Sequence, residues 1–152
     1  MNECYKCGAK NLRRVARMLT RKIAGHAFRA KVPALECVNC GEVLYGSKDL
    51  GRFDDAVAMM LVDAGITEPQ AVKFIRKAIG LPAQELAALL GVRPETISRW
   101  ENGKRAIDRA TFVLLRQLFV ELRAKKRLLV EVLQRLQHPR KLGRSVTLKL
   151  AA

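Results

Sequence analysis

The chain of 152 residues carries 29 Lys and Arg against 14 Asp and Glu, a formal charge of +15, with 49% hydrophobic but only 5% aromatic residues. Its apolar side chains are mostly Leu, Ala and Val, which favours helices over sheets, and a pI near 10.4 lies in the range of nucleic-acid binders. The longest apolar run, Ala56 to Val62, falls far short of the roughly 18 residues of a membrane span, and Met1-Asn2-Glu3-Cys4 is too polar to open a secretion signal, so a cytoplasmic protein with no membrane partner is expected.

The charge is not spread evenly. Residues 1–50 hold ten basic and four acidic side chains, residues 51–100 six of each, and residues 101–152 thirteen and four. A generally basic protein would show no such segregation. The length suits one compact domain or two small ones, and the patterns below favour two.

The first pattern is a pair of CxxC motifs, Cys4 with Cys7 and Cys37 with Cys40, each followed by a glycine, Gly8 and Gly41. Two residues between thiolates let a tight turn aim both sulfurs at one ion, and glycine supplies the backbone freedom such a turn needs. Four thiolates make a closed tetrahedral shell that suits one structural Zn2+ per chain and leaves no open position for a catalytic water. Disulfides, a redox CxxC and an iron centre are the alternatives. A reducing compartment disfavours the first, and a redox motif would not require a second matched pair.

The 29 residues between the knuckles read as a β-hairpin. Val15, Arg17, Leu19 and Arg21 alternate apolar with basic, Ala24-Gly25-His26 offers a turn, and Phe28 to Val32 alternates again. His26 is expected as a turn residue rather than a ligand, and His138, beside Pro139, has no partner in sequence.

From Asp49 to Ala64 the spacing of Leu50, Phe53, Val57, Met60 and Leu61 predicts a linker helix with a Met and Phe stripe facing the core, ended by Gly65. Thr67 with Gln70 reads as a capping box opening the next helix, with Val72, Ile75 and Ile79 inward and Gly80 closing it. Pro82 to Leu90, with Leu86, Leu89 and Leu90 inward, a Gly91-Val92-Arg93 turn, and Pro94 to Glu101 before Asn102-Gly103 then make two short helices joined by a glycine-containing turn. Asp108 caps a further helix with Phe112, Leu115, Leu118, Phe119 and Leu122 on one stripe. The helical pattern continues through residues 121–137, with Leu122, Leu129, Val132, Leu133 and Leu136 on one side, and Val146, Leu148 and Leu150 alternate like a strand.

The stretch LPAQELAALLGVRPETISRWENGKR resembles the helix-turn-helix of phage repressors and Cro-like (XRE) regulators over about 25 residues. It departs where Pro82-Ala83 replaces the usual Ser/Thr-Gln, losing a side-chain cap and a phosphate-contacting glutamine, and where Arg93-Pro94 opens the second helix. With the two cysteine pairs and the hairpin ahead of it, residues 1 to 120 resemble the MqsA-type antitoxins, also called YgiT-type zinc-finger regulators. The resemblance implies a zinc domain that binds a ribonuclease toxin and a C-terminal domain that dimerises and represses its own operon.

In a helix that starts at Pro94, Ile97 and Trp100 face inward while Glu95, Ser98 and Arg99 share the opposite face. Arg99 can present two donors to guanine O6 and N7, a pairing worth about 1–3 kcal/mol of discrimination, and Glu95 can accept from cytosine N4. The plainer reading of the two is an i,i+4 salt bridge worth about 0.3–0.5 kcal/mol. By register Arg93, Thr96, Ser98, Asn102, Lys104 and Arg105 lie where DNA backbone contacts are expected.

The expected fold is thus mainly α with a small β zinc-binding module: a zinc-knuckle hairpin domain at 1–48, a linker helix at 49–65, a lambda-repressor-like helix-turn-helix domain of the five-helix class at 66–122, and a basic helix and tail at 123–152. The function expected is a non-enzymatic, homodimeric repressor of a palindromic operator, the antitoxin of a toxin-antitoxin pair. The alternative is a stand-alone zinc-containing regulator, because a zinc half of charge +6 would meet a basic ribonuclease with like charge. A metalloenzyme is disfavoured by the closed shell of four thiolates.

Overall fold

A computed structural model describes residues 3–139 and 141. It is mainly α, with a small antiparallel sheet at the N-terminal end that carries the four cysteines. The strand expected from Val146 to Leu150 lies outside the described residues.

Strands β1 (Leu12–Ile23) and β2 (His26–Cys37) form a long hairpin, and β3 (Val43–Tyr45) adds to its base in the order β1-β2-β3. The register runs from Leu12 opposite Cys37 to Ile23 opposite His26. That leaves a two-residue loop, Ala24-Gly25, both at positive φ (49° and 79°), the backbone that lets a tight hairpin follow the twist of its strands. His26 is therefore the first residue of β2 rather than part of the turn, with its ring tilted against Phe28.

Alternation puts Val15, Leu19, Ile23, Phe28, Ala30, Val32 and Ala34 on one face of the hairpin. Ile23 and Val32 belong to the same buried cluster as the helices that follow. Arginines on that face have found acids: Arg13 and Arg17 reach Glu36, and Arg21 reaches Asp54 on the first helix.

Among the described residues six helices follow: α1 (Ser47–Asp63), α2 (Pro69–Ile79), α3 (Ala83–Leu90), α4 (Pro94–Glu101), α5 (Arg109–Arg123) and α6 (Leu128–Gln137). The cluster at their centre is built from Leu61, Ile75, Leu86, Ile97, Leu115, Leu118 and Phe119, all fully buried. Asp108 caps α5 as expected, its carboxylate accepting from the backbone N–H of Thr111 at 2.9 Å and from the Thr111 hydroxyl at 2.6 Å. No described helix is long and apolar enough to cross a membrane.

Three further expectations are corrected. Met60 lies 62% exposed, and Ala58 and Val62 take the core positions beside Val57 and Leu61, because the buried stripe of α1 is rotated away from it. The Thr67/Gln70 capping box does not form: α2 begins at Pro69 after Glu68, with no side-chain cap, and Gln70 Oε1 instead accepts from the backbone N–H of Ala24 at 3.0 Å. The helical pattern across residues 121–137 is interrupted, as α5 stops at Arg123 and the chain turns through Lys125 at φ 56° before α6. Val132 and Leu136 consequently lie exposed on α6, while Val130 is buried and Leu129 and Leu133 are half-buried.

Candidate metal centre and basic helical surface

The two cysteine knuckles are near-copies of one another. Cys4 N–H donates to Ala9 O and Gly8 N–H to Cys4 O, both at 2.8 Å, while Cys37 N–H donates to Glu42 O at 2.8 Å and Gly41 N–H to Cys37 O at 2.9 Å. Gly8 and Gly41 both sit in the left-handed region, at φ 72° and 71°. That conformation is open to glycine at little cost and closes each loop around its thiols. In each knuckle the first cysteine is buried and the second exposed.

The four sulfurs lie within 4.8 Å of one another, so Cys4, Cys7, Cys37 and Cys40 are brought together as their spacing suggested. Cys4 to Cys40 and Cys7 to Cys37 are each 3.6 Å apart, too long for a disulfide of about 2.05 Å. A tetrahedron of thiolates with Zn–S bonds of about 2.3 Å has edges of ~3.8 Å, so the donor set and its size fit a four-thiolate metal ion. His26 is not among the groups gathered there.

The metal-free thiols ionise unequally. The backbone N–H of Cys40, with that of Asn39 and neighbouring thiols, brings Cys37 down to about 7 against the cost of desolvation. Cys40 moves up to about 12: the Glu42 N–H favours its thiolate, but desolvation and the thiols of Cys7, Cys4 and Cys37 outweigh it. A bound dication overrides that difference by favouring every thiolate.

Sequence reasoning missed the strap over this centre. Glu42 accepts from Tyr5 Oη at 2.7 Å and Lys6 Nζ at 3.0 Å, tying the first knuckle to the second. Those two donors hold its carboxyl below the usual range. The signal available was only the position of an acid two residues after Cys40.

The second candidate surface is α4 and the loop after it. A left-handed Gly91 (φ 64°) ends α3, and Pro94 occupies the first turn of α4, where the missing N–H costs nothing. Ile97 and Trp100 are buried, and Glu95, Ser98 and Arg99 are exposed on the other side. No ion pair joins Glu95 to Arg99 among the described residues, nor engages Arg93, Lys104 or Arg105, all of them exposed. Thr96 is half-buried. Asn102 Nδ2 donates to the Ser98 carbonyl at 2.8 Å and to Ser98 Oγ at 3.1 Å, so these two are already partners. The loop folds back over the helix end, with Lys104 N–H donating to Arg99 O at 2.9 Å.

The model of one family, described as the antitoxin component of a bacterial toxin-antitoxin system, MqsA, matches residues 1–132. No curated protein matches the chain.

Proposed function

The chain belongs to the MqsA family of antitoxins, and from that premise we propose that it is a zinc-stabilised, homodimeric, sequence-specific DNA-binding repressor that controls its own operon and holds a toxin through its cysteine-bearing half. In this reading residues 1–48 are the zinc and toxin-binding domain, 49–65 the linker helix, 66–122 the helix-turn-helix domain and 123–152 a basic extension. It acts in the cytoplasm as a regulator and not as an enzyme. Cys4, Cys7, Cys37 and Cys40 hold one structural Zn2+ per chain.

The observation that carries the DNA reading is the division of α4 into a buried edge, Ile97 and Trp100, and an exposed one whose single cation, Arg99, has no acid partner among the described residues. An unpaired guanidinium on a short, rigidly seated helix suits a major groove, where Arg99 reads guanine and Glu95 accepts from cytosine. Arg93, Thr96, Lys104 and Arg105 then face phosphates, with Ser98 and Asn102 contributing once their mutual hydrogen bonds rearrange. Paired half-sites on a palindromic operator require two copies of this helix, and so a dimer.

The toxin reading rests on family membership. Isolation of the tagged chain from cells, with identification of the protein and DNA that come with it, tests the whole assignment. A neighbouring toxin-sized product and a promoter fragment are expected. DNA without any protein partner favours a stand-alone regulator, and recovery of neither DNA nor a protein partner contradicts the proposal.

A further inference from the structure

Three of the eight large hydrophobic side chains left exposed among the described residues stand on one short helix, α6: Leu128 (65%), Val132 (49%) and Leu136 (68%). Their spacing of four residues sets them one above another along a single stripe. Scattered apolar side chains on a surface need no explanation, whereas a continuous apolar stripe marks a contact. Fraying does not account for it, because α6 is held at both ends. The backbone N–H of Leu129 donates to the buried Glu121 carboxylate at 2.8 Å, and the side chain of Gln137 donates to the carbonyl of Ala88 on α3. Leu129, Val130 and Leu133 already form the edge that seats α6 on α3 and α5, so the stripe is a second apolar edge left in solvent.

The stripe is self-complementary. It reads Leu, Val, Leu about its middle residue. A second α6 laid antiparallel across it, on a two-fold axis at Val132, sets each Leu128 against Leu136 of the other copy and Val132 against its own counterpart.

The charged flank agrees with that arrangement. Glu131 and Arg135, both exposed, run along the side of the stripe turned away from the seat of α6. Within the chain they stand 4.0 Å apart, at the limit of an ion pair, and the same two-fold axis brings Glu131 of each copy beside Arg135 of the other. A parallel pairing would instead turn this flank toward the half-buried Leu129 and Leu133 of the other copy.

We infer that α6 pairs antiparallel with α6 of a second copy of this chain through Leu128, Val132 and Leu136, with Glu131 and Arg135 joined across the seam on either side of the axis. The inference rests on the homodimer of the proposed function and names the surface that forms it. A ten-residue helix spans only about 15 Å. Such a seam falls short of the roughly 800 Å² per partner of a standard interface, so without DNA the dimer dissociates in the micromolar range. Two half-sites on one duplex then hold the copies together through effective concentration.

Sedimentation equilibrium of the full, metal-loaded chain tests it without DNA, from about 1 to about 300 μM, the range in which a weak interface fills. The wild-type chain is expected to pass from monomer to dimer. Val132→Asp, an exposed change that sets acid against acid on the axis, should stay monomeric throughout with helical signal and metal content unchanged. Glu131→Arg or Arg135→Glu alone should weaken the dimer on the order of tenfold, because the two-fold makes each change count twice, and the two together should restore it. This charge exchange carries the test if the aspartate variant does not fold. A Val132→Asp chain that dimerises like the wild type leaves the homodimer standing on another surface and overturns the inference. A double exchange as weak as either single change overturns the antiparallel pairing. A wild-type chain that stays monomeric at the highest concentration also overturns the seam, and the homodimer falls with it only if one chain rather than two binds each promoter fragment.

Discussion

Arg76 and Glu101 meet face to face across α2 and α4. The guanidinium donates through Nε and Nη2 to the two carboxylate oxygens, the second at 3.1 Å, while Nη1 donates to the carbonyl of Leu81 at 3.2 Å. The side chains are 13% and 8% exposed. One residue thus pins the end of α4 to α2 and to the segment that leads into α3, and so sets where Arg99 is presented.

Breaking a buried pair from one side leaves an uncompensated charge. Arg76→Met or Glu101→Leu alone should cost about 3–5 kcal/mol, whereas the two together should recover most of that loss. Urea unfolding of the three variants checks this. A single substitution costing under about 1 kcal/mol would mean the pair does not hold α4.

The hairpin turn should be open to improvement. Ala24 occupies the left-handed region at φ 49°, where a residue with a Cβ is strained and asparagine is better tolerated. Ala24→Asn should raise stability by about 0.5–1 kcal/mol, read from the thermal midpoint. Gln70→Ala should lower it by about 1 kcal/mol through loss of the hydrogen bond to the Ala24 N–H.

Metal binding should release protons in a pH-dependent number. Thiols bind the ion as thiolates, so affinity falls as pH falls. In the metal-free chain Cys37 loses its proton near 7, and Cys40 keeps its own until about 12. Calorimetry in buffers of different ionisation enthalpy should therefore count one fewer proton released per zinc at pH 8 than at pH 6. Cys37→Ser should lose about one zinc per chain and increase hydrogen exchange in residues 3–11 and 37–45, with α2 to α5 still protected. A fully protected N-terminal half in chelator would contradict a structural metal.

Glu121 should make the seating of α6 sensitive to acid. Its buried carboxylate accepts from Gln117 Nε2 at 2.9 Å and from the backbone N–H of Leu129 at 2.8 Å, and these donors hold its pKa below the ordinary glutamate value of 4.5. A depressed carboxyl contributes stability that is present above the unfolded value and lost as pH falls through the folded one. Exchange of α6 amides should accordingly rise below about pH 4.5 before α5 opens, and Glu121→Gln should remove that difference.

The contrast between what the chain announces and what it conceals follows the range of the interactions. The cysteine pairs, the Asp108 cap and the Ile97/Trp100 edge act within a few residues of sequence, and periodicity exposes them. Gln70 was misread because a local capping pattern competes with a tertiary partner 46 residues away. The break at Lys125 carries neither glycine nor proline to mark it, and the Glu42 strap joins positions more than 35 residues apart. Arg76 and Glu101 look like ordinary surface charges until folding brings α2 against α4.

DNA reading by α4 is tested most directly by comparing the affinity of the intact chain and of Arg99→Ala for its own promoter and for a scrambled duplex at one fixed salt concentration. The wild-type chain should prefer the promoter, and Arg99→Ala should lose this preference while keeping salt-sensitive binding to both duplexes. An unchanged preference in Arg99→Ala would contradict it.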